Sequence, residues 1–106
     1  MLQDRELEEL NSIDRDALME QMAKDLPVIS GGMGTTPSGI AWRTGLDPKR
    51  VSLMVSGKRK MKWSEYLSIL FVLLDNERGR EIVEERGLFP KALKNVLATN
   101  RNAHEE

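Results

Sequence analysis

The chain has no cysteine and a single histidine, His104. The first absence excludes disulfides and thiolate metal sites, and the second excludes a histidine-rich metal centre. A Ser/His/Asp set would have to recruit His104 from a polar tail. Carboxylate neighbours such as Glu84 and Glu85 read as a solvated face. No catalytic residue, metal ligand or cofactor is expected, and the chain is not read as an enzyme. No apolar run reaches the roughly 18 residues of a membrane span. The opening MLQDRELEEL is acidic and polar rather than a secretory leader. These features predict a cytoplasmic protein that does not enter the membrane. Aromatic residues make up only 5% of the chain, with Trp42 and Trp63 the largest.

What is present is one small domain's worth of chain: 106 residues, 40% of them hydrophobic, enough for one modest core. The net charge of −1 hides an uneven distribution. Residues 1–40 and 63–106 are both net acidic. Residues 41–62 carry seven basic side chains against one acid, Asp47. A local cationic patch matters more for phosphate binding than the global sum.

That patch coincides with the stretch Pro37 to Gly57, PSGIAWRTGLDPKRVSLMVSG. Two short helices are predicted here, from Pro37 or Ser38 to near Thr44 and from Pro48 to about Ser56. Ala41 is small where two helices would cross. Gly45 is predicted to take positive φ at the corner. Asp47 is placed to cap the second helix, and Pro48 suits its first position, where no N–H partner is lost. Ile40, Leu46, Val51 and Met54 supply the apolar positions. Gly57 is expected to stop the second helix in the left-handed conformation.

With Ala41, Gly45 and these apolar positions at that spacing, the stretch resembles the helix-turn-helix of phage-repressor-like DNA-binding domains, the lambda repressor and Cro type. The turn Ser56-Gly57-Lys58-Arg59 resembles the end of that family's recognition helix. The resemblance covers roughly residues 18–74. It implies an all-α fold, a compact five- to six-helix bundle, that binds double-stranded DNA in the major groove as a homodimeric transcriptional regulator. It implies base reading by Pro48, Lys49, Arg50, Ser52 and Leu53, since the N-terminal end of the recognition helix enters the groove. Arginine can hold guanine O6 and N7 together, serine bonds several base edges, and leucine touches the thymine methyl. Phosphate contacts are implied for Thr36, Ser38 and Arg43 on the first motif helix, and for Lys58, Arg59, Lys60 and Lys62 beyond the second. For Thr36 and Ser38, simple helix capping is the other reading. Whether a small-molecule effector acts on the chain is left open by the sequence. Two features depart from the family. Pro37 stands where many members carry Gln, and Leu53 and Val55 interrupt the polar face of the recognition helix. They motivate a second reading, a protein-interaction module on the same fold such as an antitoxin or regulatory adaptor.

The organisation predicted around this stretch is a polar segment or short helix over 1–12, a helix-turn-helix domain over 13–98 and a disordered tail over 99–106. An amphipathic helix is predicted through Ile13, Ala17, Leu18 and Met22 to Leu26, ended by Pro27. Val28 to Thr36 is then a Gly-rich loop. It lacks the Lys-Ser/Thr of a phosphate-binding loop, so it reads as a connection. Ser64 is placed as the cap of an apolar helix through Leu74, in which Leu70 and Phe71 are expected to be buried. A helix from Gly79 to Arg86, stopped by Gly87, and another begun by Pro90 complete the set. Leu88, Phe89, Leu93, Val96 and Leu97 exceed what a five-helix core needs and point to a dimer face, or to closure of the monomer core. Trp42 is expected to pack on the core, with stacking on a sugar or on the Gly-rich loop as the other readings.

Overall fold

In a computed structural model, which describes residues 13–95 and 97, the first helix does not stop at Pro27. Helix α1 runs Arg15–Gly32 with Pro27 inside it. Proline costs a helix about 3 kcal/mol, through a lost hydrogen bond and a clash with the preceding turn. The apolar pattern outweighs that cost. Met19, Met22, Leu26 and Ile29 are all buried, a spacing of three and four residues that passes straight through Pro27. Pro27 itself is exposed, so its ring points away from the core. Ala17 is also exposed and Leu18 only half-buried, so the inward face is rotated from the expected one. The expected loop over 28–36 shrinks to four residues, Met33 to Thr36, in which Thr35 N–H donates to Ser30 C=O at 2.9 Å.

Helices α2, Pro37–Thr44, and α3, Pro48–Val55, follow. Thr36 caps α2, its Oγ1 accepting from Gly39 N–H at 3.1 Å. Gly45 ends α2 with φ 77, as expected of the corner residue. Asp47 caps α3, its Oδ1 accepting from Lys49 N–H at 2.9 Å. Gly57, also at positive φ, closes the turn after α3.

Helix α4, Trp63–Leu74, begins one residue before the predicted cap Ser64. The Glu65 side chain accepts from Lys62 N–H at 2.8 Å and occupies the start of the helix instead. Tyr66, Ile69, Leu70 and Leu73 are buried, whereas Phe71 is 75% exposed. The run is apolar on nearly every side, but only one side is covered. Helix α5, Glu77–Glu85, is capped by Asn76, whose Oδ1 accepts from Gly79 N–H at 2.9 Å. It starts two residues before the predicted Gly79, because Asn76 and not the glycine sets the boundary. Gly87 follows it at positive φ.

These five helices form one compact unit, Arg15–Leu88. Helix α1 packs against each of the other four. Two ties hold its middle to the end of α5. Gln21 Nε2 donates to Arg86 C=O at 2.7 Å, and Arg86 pairs with Asp25 at 3.2 Å. The Tyr66 hydroxyl donates to Leu88 C=O inside the core. Trp63 stacks on Tyr66 with ring centroids 4.8 Å apart, and the Arg15 guanidinium lies 5.2 Å from the Trp63 ring centre.

The remaining residues belong to a second unit. Within it residues 91–95 are helical, Lys94 N–H donating to Pro90 C=O at 3.0 Å, as expected of a helix begun by Pro90. The predicted N-terminal segment 1–12, the tail 99–106 and Val96 of the proposed dimer set lie outside the described residues. Among the described residues no strand occurs, and no helix is long and apolar enough to cross a membrane.

Candidate nucleic-acid interface

The candidate residues gather around α3. Val51 and Met54 are its buried side. Lys49 and Ser52, three residues apart, share the opposite face and are exposed. Pro48 and Leu53 are half-buried beside them. The Leu53 carbonyl accepts from Lys58 N–H at 2.9 Å, from Arg59 N–H at 3.2 Å and from Ser56 Oγ at 3.0 Å. These three bonds fold the basic segment back against the C-terminal end of α3.

Arg50 does not extend freely from α3. Its Nε and Nη2 donate to the two carboxylate oxygens of Glu65, the latter at 2.8 Å. Glu65 is nearly buried, with 7% of its side chain accessible, against 29% for Arg50. The paired Arg50 hydrogen bonds hold the Glu65 carboxyl below its ordinary value. Burial pushes it the other way, and the Lys62 N–H adds to the lowering. The Arg50 guanidinium is in turn raised, first by its hydrogen bonds to Glu65. A fork-to-fork pair of this kind fixes geometry as well as energy. Arg50 is therefore a strut between α3 and the start of α4. The sequence carried a signal for it. Glu65 is the sole acid between Asp47 and Asp75, and it opens an otherwise apolar helix.

Lys58, Arg59, Lys60 and Lys62 are all exposed. Lys60 Nζ reaches Asp16 Oδ1 on α1 at 3.0 Å, with about three quarters of each side chain accessible. Such an exposed pair contributes at most about 1 kcal/mol. Among the described residues, Arg43, Lys49, Lys58 and Arg59 form no ion pair. On α2, Ser38 and Arg43 are exposed, and Thr36 spends its hydroxyl on the helix cap. Trp42 is 78% exposed, so the expected core packing is wrong. Ile40 and Ala41 fill the inward positions of α2, and the next residue along a helix turns about 100° away from its neighbour. The charged side chains thus lie on α2, on the first turn of α3 and on the loop after it, while Arg50 holds α3 to α4.

No family model, curated protein or solved structure matches the chain.

Proposed function

We propose that α2 and α3 form a helix-turn-helix of the phage-repressor-like kind, and that the chain binds double-stranded DNA with α3 in the major groove. The observation that carries this reading is the placement of cations at both ends of α3. Lys49 stands beside Ser52 at its N-terminal end, and Lys58, Arg59 and Lys62 follow its C-terminal end. The short three-residue corner at Gly45 and the Asp47 cap support it. Lys49 and Ser52 are the residues that reach base edges, with Pro48 and Leu53 as apolar neighbours. Arg43, Lys58, Arg59, Lys60 and Lys62 meet phosphates, and Ser38 adds a hydroxyl at the start of α2. Arg50 orients the reading helix through Glu65. A regulator of transcription acting as a homodimer on a two-fold site is the role that fits such a domain.

The test is a titration of fluorescent duplex DNA at several salt concentrations, with the DNA upstream of the protein's own gene as one probe. Neutralising five phosphates predicts a log–log salt slope of about −4.5. A flat salt dependence, or no binding, overturns the reading.

The exposure of Trp42 and Phe71 favours the second reading, an interaction module on the same fold. Its signature is a stable complex with a neighbour-encoded protein and no shift of DNA.

A further inference from the structure

Helix α1, the end of α3 and the chain after it border an open groove of about 620 Å³, the size of a small-molecule site. On the α1 wall Met19, Ala23 and Pro27 follow one another at successive turns of one face. Met54, Val55 and Met61 face them. The three methionines are buried and form the floor, while Ala23 and Val55 are half-exposed and Pro27 is exposed. Apolar surface thus remains open on both walls of a concavity. Methionine thioethers shift readily to fit an apolar guest. The wall from Asp16 to Pro27 runs about 16 Å along the helix, room for a medium-length acyl chain.

The rim decides the charge of the guest. Asp16 and Lys60 face the groove but satisfy each other at 3.0 Å. Of the other charges lining the groove, Glu20 is one acid to the two cations Lys24 and Arg59, which leaves one positive charge in excess. Arg59 forms no ion pair among the described residues. An apolar floor under a cationic rim is complementary to a molecule with an apolar body and one negative charge.

We propose that this groove binds a small amphipathic carboxylate, its acyl body on the methionine floor and its carboxylate on Arg59. The groove accounts for Val55, an apolar residue left half-exposed one turn beyond the buried Val51. It also touches the machinery proposed above, because Arg59 and Lys60 belong to the loop that meets phosphate. A carboxylate held by Arg59 withdraws that cation from DNA, so ligand and DNA weaken each other by the same factor. This coupling rests on the DNA-binding reading; occupancy of the groove does not.

The experiment is isothermal titration of the DNA-free protein with octanoate, with octan-1-ol and acetate as probes of head and tail alone. Octanoate is expected to bind with Kd below about 1 mM, and each half-probe at least about tenfold more weakly. Ala23→Leu fills the groove with a good helix former, and Arg59→Gln removes the cation. Each is expected to weaken octanoate by about tenfold while circular dichroism and the melting midpoint stay near those of the parent. Should Ala23→Leu fail to fold, Arg59→Gln still decides. No binding of octanoate, equal binding of octanol, or binding unchanged in the folded variants overturns the proposal. A sedimentation change in Ala23→Leu overturns it too, since a second copy would then cover the groove. Octanoate is finally added to the protein–DNA complex. Loss of DNA affinity supports the coupling, and unchanged affinity overturns it. A protein that binds octanoate but no DNA keeps the groove and removes the DNA reading.

Discussion

Arg50 of α3 and Glu65 of α4 are joined by two hydrogen bonds between guanidinium and carboxylate, across fifteen residues of chain. The pair sits at the edge of the core, with the acid almost covered and the base partly wet. Removing one partner strands the other. Glu65→Ala leaves the Arg50 guanidinium without its carboxylate and Lys62 N–H without its cap, and is expected to lower the denaturation midpoint. Arg50→Ala leaves a nearly buried carboxylate unpaired and is expected to lower the denaturation midpoint. Urea denaturation of both variants and of the double variant checks this. A double variant no less stable than either single one confirms the pair, whereas additive losses break it.

The same pair predicts a pH dependence. Glu65 has a folded-state pKa below its reference of 4.5, so its contribution is present above that value. It is lost as pH falls through the lower folded-state value. Tyr66 is displaced upward from 10.0 by burial. A neutral tyrosine is thus favoured in the fold, and that contribution is complete below pH 10.0 and lost as pH rises towards the folded-state value. Melting midpoints across pH are expected to fall at both ends. Glu65→Gln flattens the acid limb and Tyr66→Phe the alkaline limb. An acid limb as steep in Glu65→Gln as in the parent refutes the assignment.

Two glycines separate backbone strain from crowding. Gly45 has φ 77, and a Cβ there meets nothing within 4 Å. Gly45→Ala is therefore expected to cost about 1–2 kcal/mol, from the left-handed conformation alone. Gly79 has no such φ, but its Cβ would fall 2.4 Å from the Leu73 carbonyl oxygen. Gly79→Ala must push α4 and α5 apart at their junction, at a cost of about 3 kcal/mol. Chemical denaturation that ranks the two in the reverse order removes this account of the corner.

The passage of α1 through Pro27 is tested by two changes. Pro27 is exposed, so Pro27→Ala loses no core packing and supplies the missing N–H. It is expected to stabilise the domain by about 1–3 kcal/mol. Ile29 is fully buried two residues further on, and Ile29→Ala is expected to cost about 2–5 kcal/mol. A wild-type midpoint for Ile29→Ala would return residues 28–36 to a loop.

These residues also show what was legible beforehand. The caps at Thr36 or its neighbours and at Asp47, the corner at Gly45 and the boundaries of α2 and α3 follow from local chemistry, and local chemistry can be read from sequence. Pro27 misleads because a local breaking signal competes with burial, and burial is a property of the whole fold. The period from Met19 through Ile29 was nonetheless visible across the proline. Phe71 misleads for a related reason. A run apolar on all sides does not say which side is covered, and α4 turns Leu70 and Leu73 into the core while leaving Phe71 in solvent. The charge cluster of residues 41–62 was visible as composition. That Arg50 turns inward was not, because its partner lies fifteen residues away in a different helix.

The last prediction assigns the cations different roles in DNA binding. Lys49 lies in the first turn of α3, beside Ser52, where base edges come within reach if α3 enters the groove. Lys58 lies beyond Gly57, where only the backbone is near. Both are exposed, and neither forms an ion pair among the described residues, so neither substitution disturbs the core. Lys49→Ala is expected to cost about 1–3 kcal/mol on a preferred site and less on unrelated DNA, relaxing preference at one base pair. Lys58→Ala weakens both DNAs alike and lowers the salt slope by about one. Arg50→Ala, held at a temperature where it stays folded, separates strut from reader. As a strut, its loss loosens α3 and reduces affinity for every sequence. As a reader, its loss would relax one position and leave the rest intact. Anisotropy titrations of the three variants on two DNAs at two salt concentrations distinguish these outcomes. A single-position loss for Arg50→Ala would mean that it leaves Glu65 when DNA binds, and the strut would then be a latch.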